Sequence, residues 1–287
     1  MSVKITDVRA IQGDSAFLID DGKTAVLYDS GFAFTGEKVV ENIKRELKGR
    51  ELDYIFLTHS HYDHALGSAY ALKHFENVKV VAGEYAVKIF SKPSAKNLMR
   101  LLDQKFAKKN GVEDYEDLID SLKVHIAVKD GEKINAGDMC FTALNLPGHT
   151  KCSVGYYLES EKLLLSTESL GVYVGEGCVV PSYLVGYQMV LDSIERVQKL
   201  DIEKILIPHY GVVEKAEAKQ YLNEAYKSAV ETANEIVTII KSGESKQTAV
   251  NHFVNKFYKG KVIDIYPYDA MMLNTTITVD LISKELM

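Results

Sequence analysis

The chain has 287 residues, of which 46% are hydrophobic and 26% are charged, and its formal net charge at pH 7 is −6. This length corresponds to one large domain or two small ones, and the composition excludes a disordered or collagen-like chain. The acidic charge argues against a nucleic-acid partner, which requires clustered lysine and arginine.

Cysteine content and hydropathy indicate the compartment. Three cysteines, Cys140, Cys152 and Cys178, are too few and too odd in number for a disulfide framework, which predicts a reducing environment. The longest uncharged stretch, residues 177–191, is too short and too polar to span a bilayer, and the first residues lack the apolar core of a signal peptide. We therefore expect a cytoplasmic protein without a membrane partner.

The first third of the chain alternates between short apolar runs and segments with helical spacing, a pattern typical of an α/β fold. The predicted strands are residues 3–11, 16–20, 25–29, 53–57 and 78–82. The predicted helices are residues 36–48 and 68–75 and a short helix after residue 82.

One helical segment interrupts this α/β pattern, and a second follows it. Residues 94–109 and 114–121 are polar and helical in character, which predicts an inserted helical segment over residues 91–122. Strand patterns return over residues 123–167. The later predicted elements are a helix at 188–199, a strand at 204–207 and helices at 214–241, 246–258 and 269–286. We therefore expect one domain over residues 1–212 and a C-terminal helical extension over residues 213–287.

Three of the eight histidines fall in one six-residue window, His59-Ser60-His61-Tyr62-Asp63-His64. The window follows a short apolar strand, so it lies at the strand's carboxyl end, where open α/β sheets place their sites. Imidazole and carboxylate groups together suit zinc, iron or manganese. A single histidine is more often a structural or surface residue, but three with an aspartate in this window predict a metal site.

Two further histidines occur in similar settings. His149 follows an apolar run in the segment Pro147-Gly148-His149-Thr150, and His209 follows Ile207-Pro208. A proline that ends a strand beside glycine is typical of a rigid loop held by a sheet. The other three histidines, His74, His125 and His252, lie within predicted helices or strands, and we interpret them as structural or surface residues.

These motifs resemble the signature of the metallo-β-lactamase superfamily: His-x-His-x-Asp-His after an apolar strand, a later Gly-His-Thr, a final histidine at a strand end, and an early Asp29-Ser30-Gly31. The resemblance covers roughly residues 1–212. It implies an αββα sandwich with two metal ions in a groove at one edge of the two sheets. Within the superfamily the chain is most similar to the glyoxalase II and lactonase branches.

The resemblance also implies a set of ligands. The first metal would take His59, His61 and His149, and the second would take Asp63, His64 and His209. The family pattern expects a bridging aspartate after the next strand, where this chain has Glu168. Asp29 would accept a hydrogen bond from a ligand histidine and thereby fix its tautomer.

Such a site would hold two divalent cations, zinc first and iron or manganese as alternatives. A water held between them would ionise near neutral pH, and Asp63 would orient this nucleophile. The expected activity is hydrolysis of a small-molecule thioester, ester or lactone. Two alternatives stay open: a metal-binding regulatory or partner-binding protein with little turnover, and a phosphodiesterase or di-iron redox enzyme.

The two helical additions are expected to wall the substrate pocket, and the C-terminal helices could also support a homodimer. The candidate wall residues are Leu98, Met99, Leu102, Phe106, Tyr221, Tyr268, Met271 and Met272. Tyr62, Tyr173 and Tyr210 flank the motifs and could act as proton donors, although packing is the simpler interpretation for each. Cys152 lies three residues after His149, and its position at a strand start favours a buried thiol over a metal ligand.

Overall fold

In the computed structural model, which describes residues 3–287, two six-stranded sheets pack face to face and helices cover both outer faces. This four-layer αββα arrangement is the fold expected from the sequence. Each sheet therefore contributes one face to a shared apolar layer and one face to a layer of helices.

The first sheet is built from the first half of the chain. Its strands are β1 (Lys4–Asp7), β2 (Phe17–Asp20), β3 (Ala25–Tyr28), β4 (Tyr54–Phe56), β5 (Lys79–Gly83) and β6 (Ile126–Val128), in that spatial order. The first three are antiparallel, and β3 to β6 run parallel. Parallel neighbours need crossovers, which contain α1 (Gly36–Leu47), α2 (Tyr62–Ala65), α3 (Ser68–His74), α4 (Glu84–Phe90) and α5 (Pro93–Lys109).

The second sheet follows. Its strands are β7 (Lys133–Ala136), β8 (Met139–Asn145), β9 (Val154–Leu158), β10 (Leu163–Leu165), β13 (Lys204–Ile207) and β14 (Gly211–Glu214), and a separate ribbon is formed by β11 (Val172–Tyr173) and β12 (Val179–Val180). The spatial order is β14-β13-β10-β9-β8-β7. Only β10 and β13 pair in parallel in this sheet.

The remaining helices lie after the ribbon: α6 (Tyr187–Gln198), α7 (Lys215–Lys241), α8 (Lys246–Phe257), α9 (Val262–Ile265) and α10 (Tyr268–Leu286). The sequence therefore predicted the helical C-terminal extension correctly. Within residues 3–287, no helix is long and apolar enough to cross a lipid bilayer.

Three apolar clusters hold the layers together. Large buried side chains, among them Phe17, Phe56, Phe141 and Tyr156, fill the space between the sheets. A second cluster joins the outer face of the first sheet to α1, α3, α4 and α5. The third joins the outer face of the second sheet to α6 and to the C-terminal helices. Because this last cluster is continuous, the extension shares a core with the second sheet.

The predicted helix over residues 114–121 is wrong. Only Ile119–Ser121 forms a 3₁₀ turn, and residues 112–118, here called the strap, cross the insertion without helical structure. Hydrogen bonds made by side chains outweigh the helix propensity of these residues. The Tyr115 hydroxyl donates to the buried Asp103, and the Tyr70 hydroxyl donates to the carbonyl of Glu116.

Two other elements differ from the prediction. The strand expected over residues 3–11 ends at Asp7, because the backbone amides of Ala10 and Ile11 bond to the carboxylate of Asp14. Strand β14 was not predicted, and the expected domain boundary at residue 212 falls inside it. Its four residues pair with β13 and continue directly into α7. Because no turn residue separates β14 from α7, the sequence gives no sign that a strand ends before the helix begins.

Asp103 gives a pH-dependent contribution to stability. Burial raises the pKa of its carboxyl to about 6, although Tyr115 and the amide of Ala33 donate hydrogen bonds to it. The folded state therefore binds this proton more tightly than the unfolded state. The resulting stabilisation is complete below about pH 4 and is lost as the pH rises through about 6. Between pH 4 and pH 7, we expect the unfolding free energy of Asp103→Asn to rise by about 2–3 kcal/mol relative to the wild type.

Denaturant unfolding of both proteins across this pH range measures that difference, and other titrating groups cancel in the comparison. Asp114→Asn is the matched control, since Asp114 lies on the strap but is exposed. A difference between wild type and Asp103→Asn that stays constant with pH would refute the assignment.

Candidate metal centre

Five strands end at one edge of the sandwich, and each is followed by a predicted site residue. Asp29 follows β3, the histidine window follows β4, and His149, Glu168 and His209 follow β8, β10 and β13. Strands β3 and β4 are parallel, as are β10 and β13. Their carboxyl ends therefore meet at the same edge, the position where α/β sheets bind ligands.

The first group of converging side chains is His59, His61, His149 and Glu168, with one candidate ligand atom from each within 4.8 Å of the others. His149 Nε2 lies 3.0 Å from His61 Nδ1 and 2.8 Å from Glu168 Oε2. His59 Nε2 lies 4.0 Å from the same carboxylate oxygen.

The second group is Asp63, His64 and His209, with candidate ligand atoms again within 4.8 Å of one another. His64 Nε2 and His209 Nε2 are 3.1 Å apart. Asp63 Oδ2 lies 3.7 Å from the first of these nitrogens and 3.8 Å from the second. The structure thus brings together, in two adjacent groups, all seven side chains that the sequence singled out.

Glu168 lies between the two groups. Its Oε2 faces His149, and its Oε1 is 3.2 Å from His209 Nε2 and 3.9 Å from His64 Nε2. Glu168 begins a 3₁₀ turn after β10, and the hydroxyl of the next residue, Ser169, accepts a hydrogen bond from the amide of His149. One carboxylate therefore presents a separate oxygen to each group.

A layer of hydrogen bonds holds the histidine rings. Asp29 Oδ2 is 2.7 Å from His64 Nδ1, and the same carboxylate accepts from the amide of Thr58 and the hydroxyl of Ser15. His149 Nδ1 is 2.7 Å from Ser182 Oγ, and His209 Nδ1 is 3.0 Å from the carbonyl oxygen of Gly13. Only Asp29 was predicted. Ser182 and Gly13 are distant in sequence from the histidines they contact, so no local motif marks them.

The backbone of these loops is unusual at three positions. Asp29 and His209 have positive φ angles of 51° and 62°, values that non-glycine residues rarely adopt and that concentrate at functional sites. Gly148, with φ +133°, precedes His149, and a Cβ there would lie 2.4 Å from a methyl of Val190. Only glycine allows helix α6 to approach this loop so closely.

Burial and neighbouring charges shift the protonation of several side chains in the site in opposite directions. Burial, together with the neighbouring imidazoles, lowers the pKa of His59 and His61 well below the usual value, so both rings are neutral at pH 7. Burial would raise the pKa of Glu168, but His149 and His209 hold it well below its usual range. Burial also disfavours charge on His64, yet the carboxylates of Asp29 and Asp63 raise its pKa to about 9.

The seven side chains fit divalent metal ions. His59 Nε2 and Asp63 Oδ1 are buried and have no hydrogen-bond partner among residues 3–287. Leaving buried polar atoms unpaired costs free energy. In a neutral ring each facing nitrogen can offer a lone pair, and a cation placed between two such nitrogens would bind both in place of a proton. Imidazole and carboxylate are the donor set of zinc, iron and manganese sites.

The fold and these ligands agree with a comparison against known families. The family model for the metallo-beta-lactamase superfamily matches residues 12–209, more than half of the chain. The chain belongs to the metallo-beta-lactamase superfamily. The matched segment runs from the residue before Gly13 to His209, so it contains every candidate ligand.

Solved structures of the superfamily share the fold over nearly the whole chain. A protein of Sulfolobus tokodaii aligns with a TM-score of 0.60 at 19% identity, covering 96% of this chain and 94% of that one. A protein of Thermus thermophilus aligns with a TM-score of 0.64 at 17% identity, covering 94% and 88%. At these identities the likeness establishes the fold alone, and it extends over the C-terminal helices.

Curated relatives are similar to this chain over shorter stretches. A hydroxyacylglutathione hydrolase of Haemophilus influenzae is 28% identical over 167 residues, which are 58% of this chain and 70% of that protein. A probable hydroxyacylglutathione hydrolase of Schizosaccharomyces pombe is 29% identical over 126 residues, 43% of this chain. An acyl-coenzyme A thioesterase of Gallus gallus is 25% identical over 165 residues, 54% of this chain. The matches span 36% of the yeast protein and 55% of the chicken protein.

Several other residues that the sequence singled out lie outside the candidate metal centre or act in packing. Cys152 is buried, as predicted, and contacts Ser60 and Thr150. His74 and His252 pair with surface glutamates, and His125 accepts from the amide of Val80.

Among the residues predicted to wall the pocket or to donate protons, some are exposed and others are held by hydrogen bonds. Leu98 and Tyr268 are about half exposed, at 55% and 50%. The Tyr173 hydroxyl donates to Glu217, and that of Tyr221 donates to Gly171. Met271 lines a small cavity that is also lined by Ser182, the hydrogen-bond partner of His149.

Replacing Asp29 with asparagine is expected to weaken binding of the second metal by about 10–100-fold, the usual effect of removing a partner of a ligand histidine. The amide carries no negative charge and holds the tautomer of His64 less firmly. Zinc competition against a chromogenic chelator measures the affinity. Asp53→Asn is the matched control, because Asp53 also accepts a backbone amide but lies at the start of β4. Equal zinc affinities in the two variants would contradict this role for Asp29.

Proposed function

We propose that this chain is a dinuclear metal-dependent hydrolase that cleaves a small-molecule thioester, ester or lactone. Of these three substrate classes, we favour thioesters. The observation that carries the proposal is the position of Glu168, which presents one oxygen to each of two groups of imidazole and carboxylate side chains. Relatives named as hydroxyacylglutathione hydrolases and an acyl-coenzyme A thioesterase support the thioester class.

In this proposal His59, His61 and His149 would hold one ion, Asp63, His64 and His209 would hold the other, and Glu168 would offer one carboxylate oxygen to each group. Zinc is the first choice, with iron or manganese as alternatives. Two bound cations would lower the pKa of a water held between them and polarise the substrate carbonyl.

The chain's own residues would then position the reactants. Asp63 is half-buried, and its Oδ1 has no partner among the described residues, so it can accept a hydrogen bond from the attacking water and hold its lone pair toward the carbonyl. Water adds its oxygen to the carbonyl carbon, the carbon–sulfur bond breaks, and the products are a carboxylic acid and a thiol. Asp29, Ser182 and Gly13 keep the three histidine rings oriented throughout.

The test is a panel of chromogenic thioesters, lactones and phosphodiesters, assayed with zinc, manganese and iron. Hydrolysis of thioesters or lactones that is abolished in His61→Ala and retained in His74→Ala is the expected result. Two bound metals without turnover on any substrate would overturn the hydrolase and favour a regulatory protein. Turnover confined to phosphodiesters would favour that alternative reaction.

A further inference from the structure

The candidate ligand His209 lies in a strained turn between β13 and β14. Its φ angle is +62°, in the left-handed region that costs free energy for a residue with a Cβ and persists only where the surroundings fix it. Within the turn, the amide of Tyr210 donates to the carbonyl of Ile207 at 3.3 Å, a bond in which the His209 carbonyl takes no part. The backbone conformation of His209 therefore depends on contacts from outside the turn.

Arg9, which follows β1, supplies such a contact. Its Nη1 donates to the carbonyl oxygen of His209, and no other donor to this oxygen is found among residues 3–287. The same nitrogen lies 3.5 Å from the carbonyl oxygen of Gln12. The next carbonyl, that of Gly13, lies 3.0 Å from His209 Nδ1. Arg9 thus links the backbone of His209 to the segment that contacts its ring.

The Arg9 side chain is itself firmly held. Its Nε and Nη2 donate to the two oxygens of Asp7, at 2.9 and 2.6 Å, a bidentate arrangement that fixes the guanidinium plane. The guanidinium carbon lies 4.9 Å from the centre of the Phe17 ring, and the backbone carbonyl of Arg9 accepts from Asn42. Only 15% of the Arg9 side chain is exposed. The guanidinium nitrogen that Asp7 does not use is therefore aimed at the His209 turn.

We propose that Arg9 is a positioning residue of the candidate metal centre and fixes the backbone of His209. The ring Nε2 is thereby held toward His64 and Glu168, whose nearest atoms lie 3.1 Å and 3.2 Å away. The proposal rests on the dinuclear centre proposed above. Among the described residues, the hydrogen bonds of the Arg9 side chain reach none of the first ligand group. Arg9 therefore acts on only one of the two groups.

Arg9→Met tests this role in the full chain, because methionine keeps an apolar stem but removes the charge and the donors. The two zinc affinities are measured by competition with a chelator, and native mass spectrometry counts the bound ions. We expect one affinity to weaken by at least about tenfold, as for other partners of ligand histidines, and the other to stay within about twofold. Charge alone would have the opposite effect, because removing a cation near a cation site strengthens binding.

Two comparisons make the test specific. Arg50→Met is the matched control, because Arg50 makes the same two-pronged contact with Asp20, at the opposite end of β2, and should leave both affinities unchanged. In a His209→Ala background, Arg9→Met should weaken zinc binding no further, since the residue through which it acts is gone. Equal losses in both backgrounds would mean that Arg9 acts elsewhere in the structure, and would overturn the proposal.

A second measurement does not require metal. Hydrogen exchange of the Tyr210 amide in the metal-free protein reports opening of the turn. Arg9→Met should accelerate this exchange at least about tenfold, the contribution of one hydrogen bond to a charged group. Unchanged exchange, or zinc binding that is unchanged or tighter in a protein with two bound ions, would overturn the role of Arg9. Faster exchange in a protein that binds fewer than two ions would support that role and overturn the dinuclear centre.

Discussion

Replacing Glu168 with glutamine is expected to remove one of two bound metal ions and to reduce hydrolysis by well over about 100-fold, with the fold unchanged. Loss of a residue that merely orients a ligand costs about 10–100-fold, and Glu168 contacts both ligand groups directly. Glutamine keeps the shape, but it removes the negative charge that offsets repulsion between two dications. Its amide nitrogen is also a donor, which cannot bind a cation.

Two further variants make the test specific. Glu168→Asp retains the charge but shortens the side chain by one methylene, so both metals should bind with altered geometry and reduced activity. Glu159→Gln makes the same chemical change at another residue that begins a 3₁₀ turn, but Glu159 is exposed, and no effect is expected. Full metal occupancy and unchanged kinetics in Glu168→Gln would mean that another group joins the two ions.

Ending the chain at residue 212 is expected to abolish soluble folding rather than to leave a stable metal-binding domain. The cut falls inside β14 and removes Tyr221, Phe253, Phe257 and Ile282, all buried against the second sheet or its helices. Each large apolar side chain contributes about 1.5–3 kcal/mol when buried, whereas a whole domain is stable by only about 5–15 kcal/mol. The loss of these four side chains alone is therefore comparable to the whole stability of a domain.

Soluble yield and circular dichroism of the truncated chain measure this, and a chain ending at Glu285 is the control. That shorter deletion removes only Leu286 and Met287, which are 39% and 54% exposed. A soluble chain of residues 1–212 that still binds metal would show that the C-terminal helices form a separable unit, in line with the boundary expected from the sequence.

Much of the candidate site could be predicted because its chemistry is concentrated in short motifs. His59, His61, Asp63 and His64 share one segment after β4, and His149 and His209 each lie just after a strand, beside a proline and a nearby glycine. Apolar periodicity also located most strands and helices correctly. Glu168 was identified by its position after a strand, even though the family pattern expects aspartate there.

The missed features depend on contacts between distant segments. Ser182 and Gly13 reach histidines that lie far away in the chain, and nothing in their local sequence marks them. The strap has the composition of a helix, but hydrogen bonds to Asp103 of α5 and Tyr70 of α3 fix it in a non-helical conformation. A small cavity lined by Pro181, Phe253 and Thr275 likewise forms only when the loop after β12, α8 and α10 come together. Dimerisation through the C-terminal helices stays a prediction.

Metal content per chain tests the central claim most directly. Seven converging ligands are more than one tetrahedral ion can use. Protein purified without chelator, and protein stripped and reconstituted separately with zinc, manganese and iron, should be analysed by elemental analysis and native mass spectrometry. We predict two metal ions per chain with at least one of these metals. A stable value of one or fewer after reconstitution with all three would contradict a dinuclear centre.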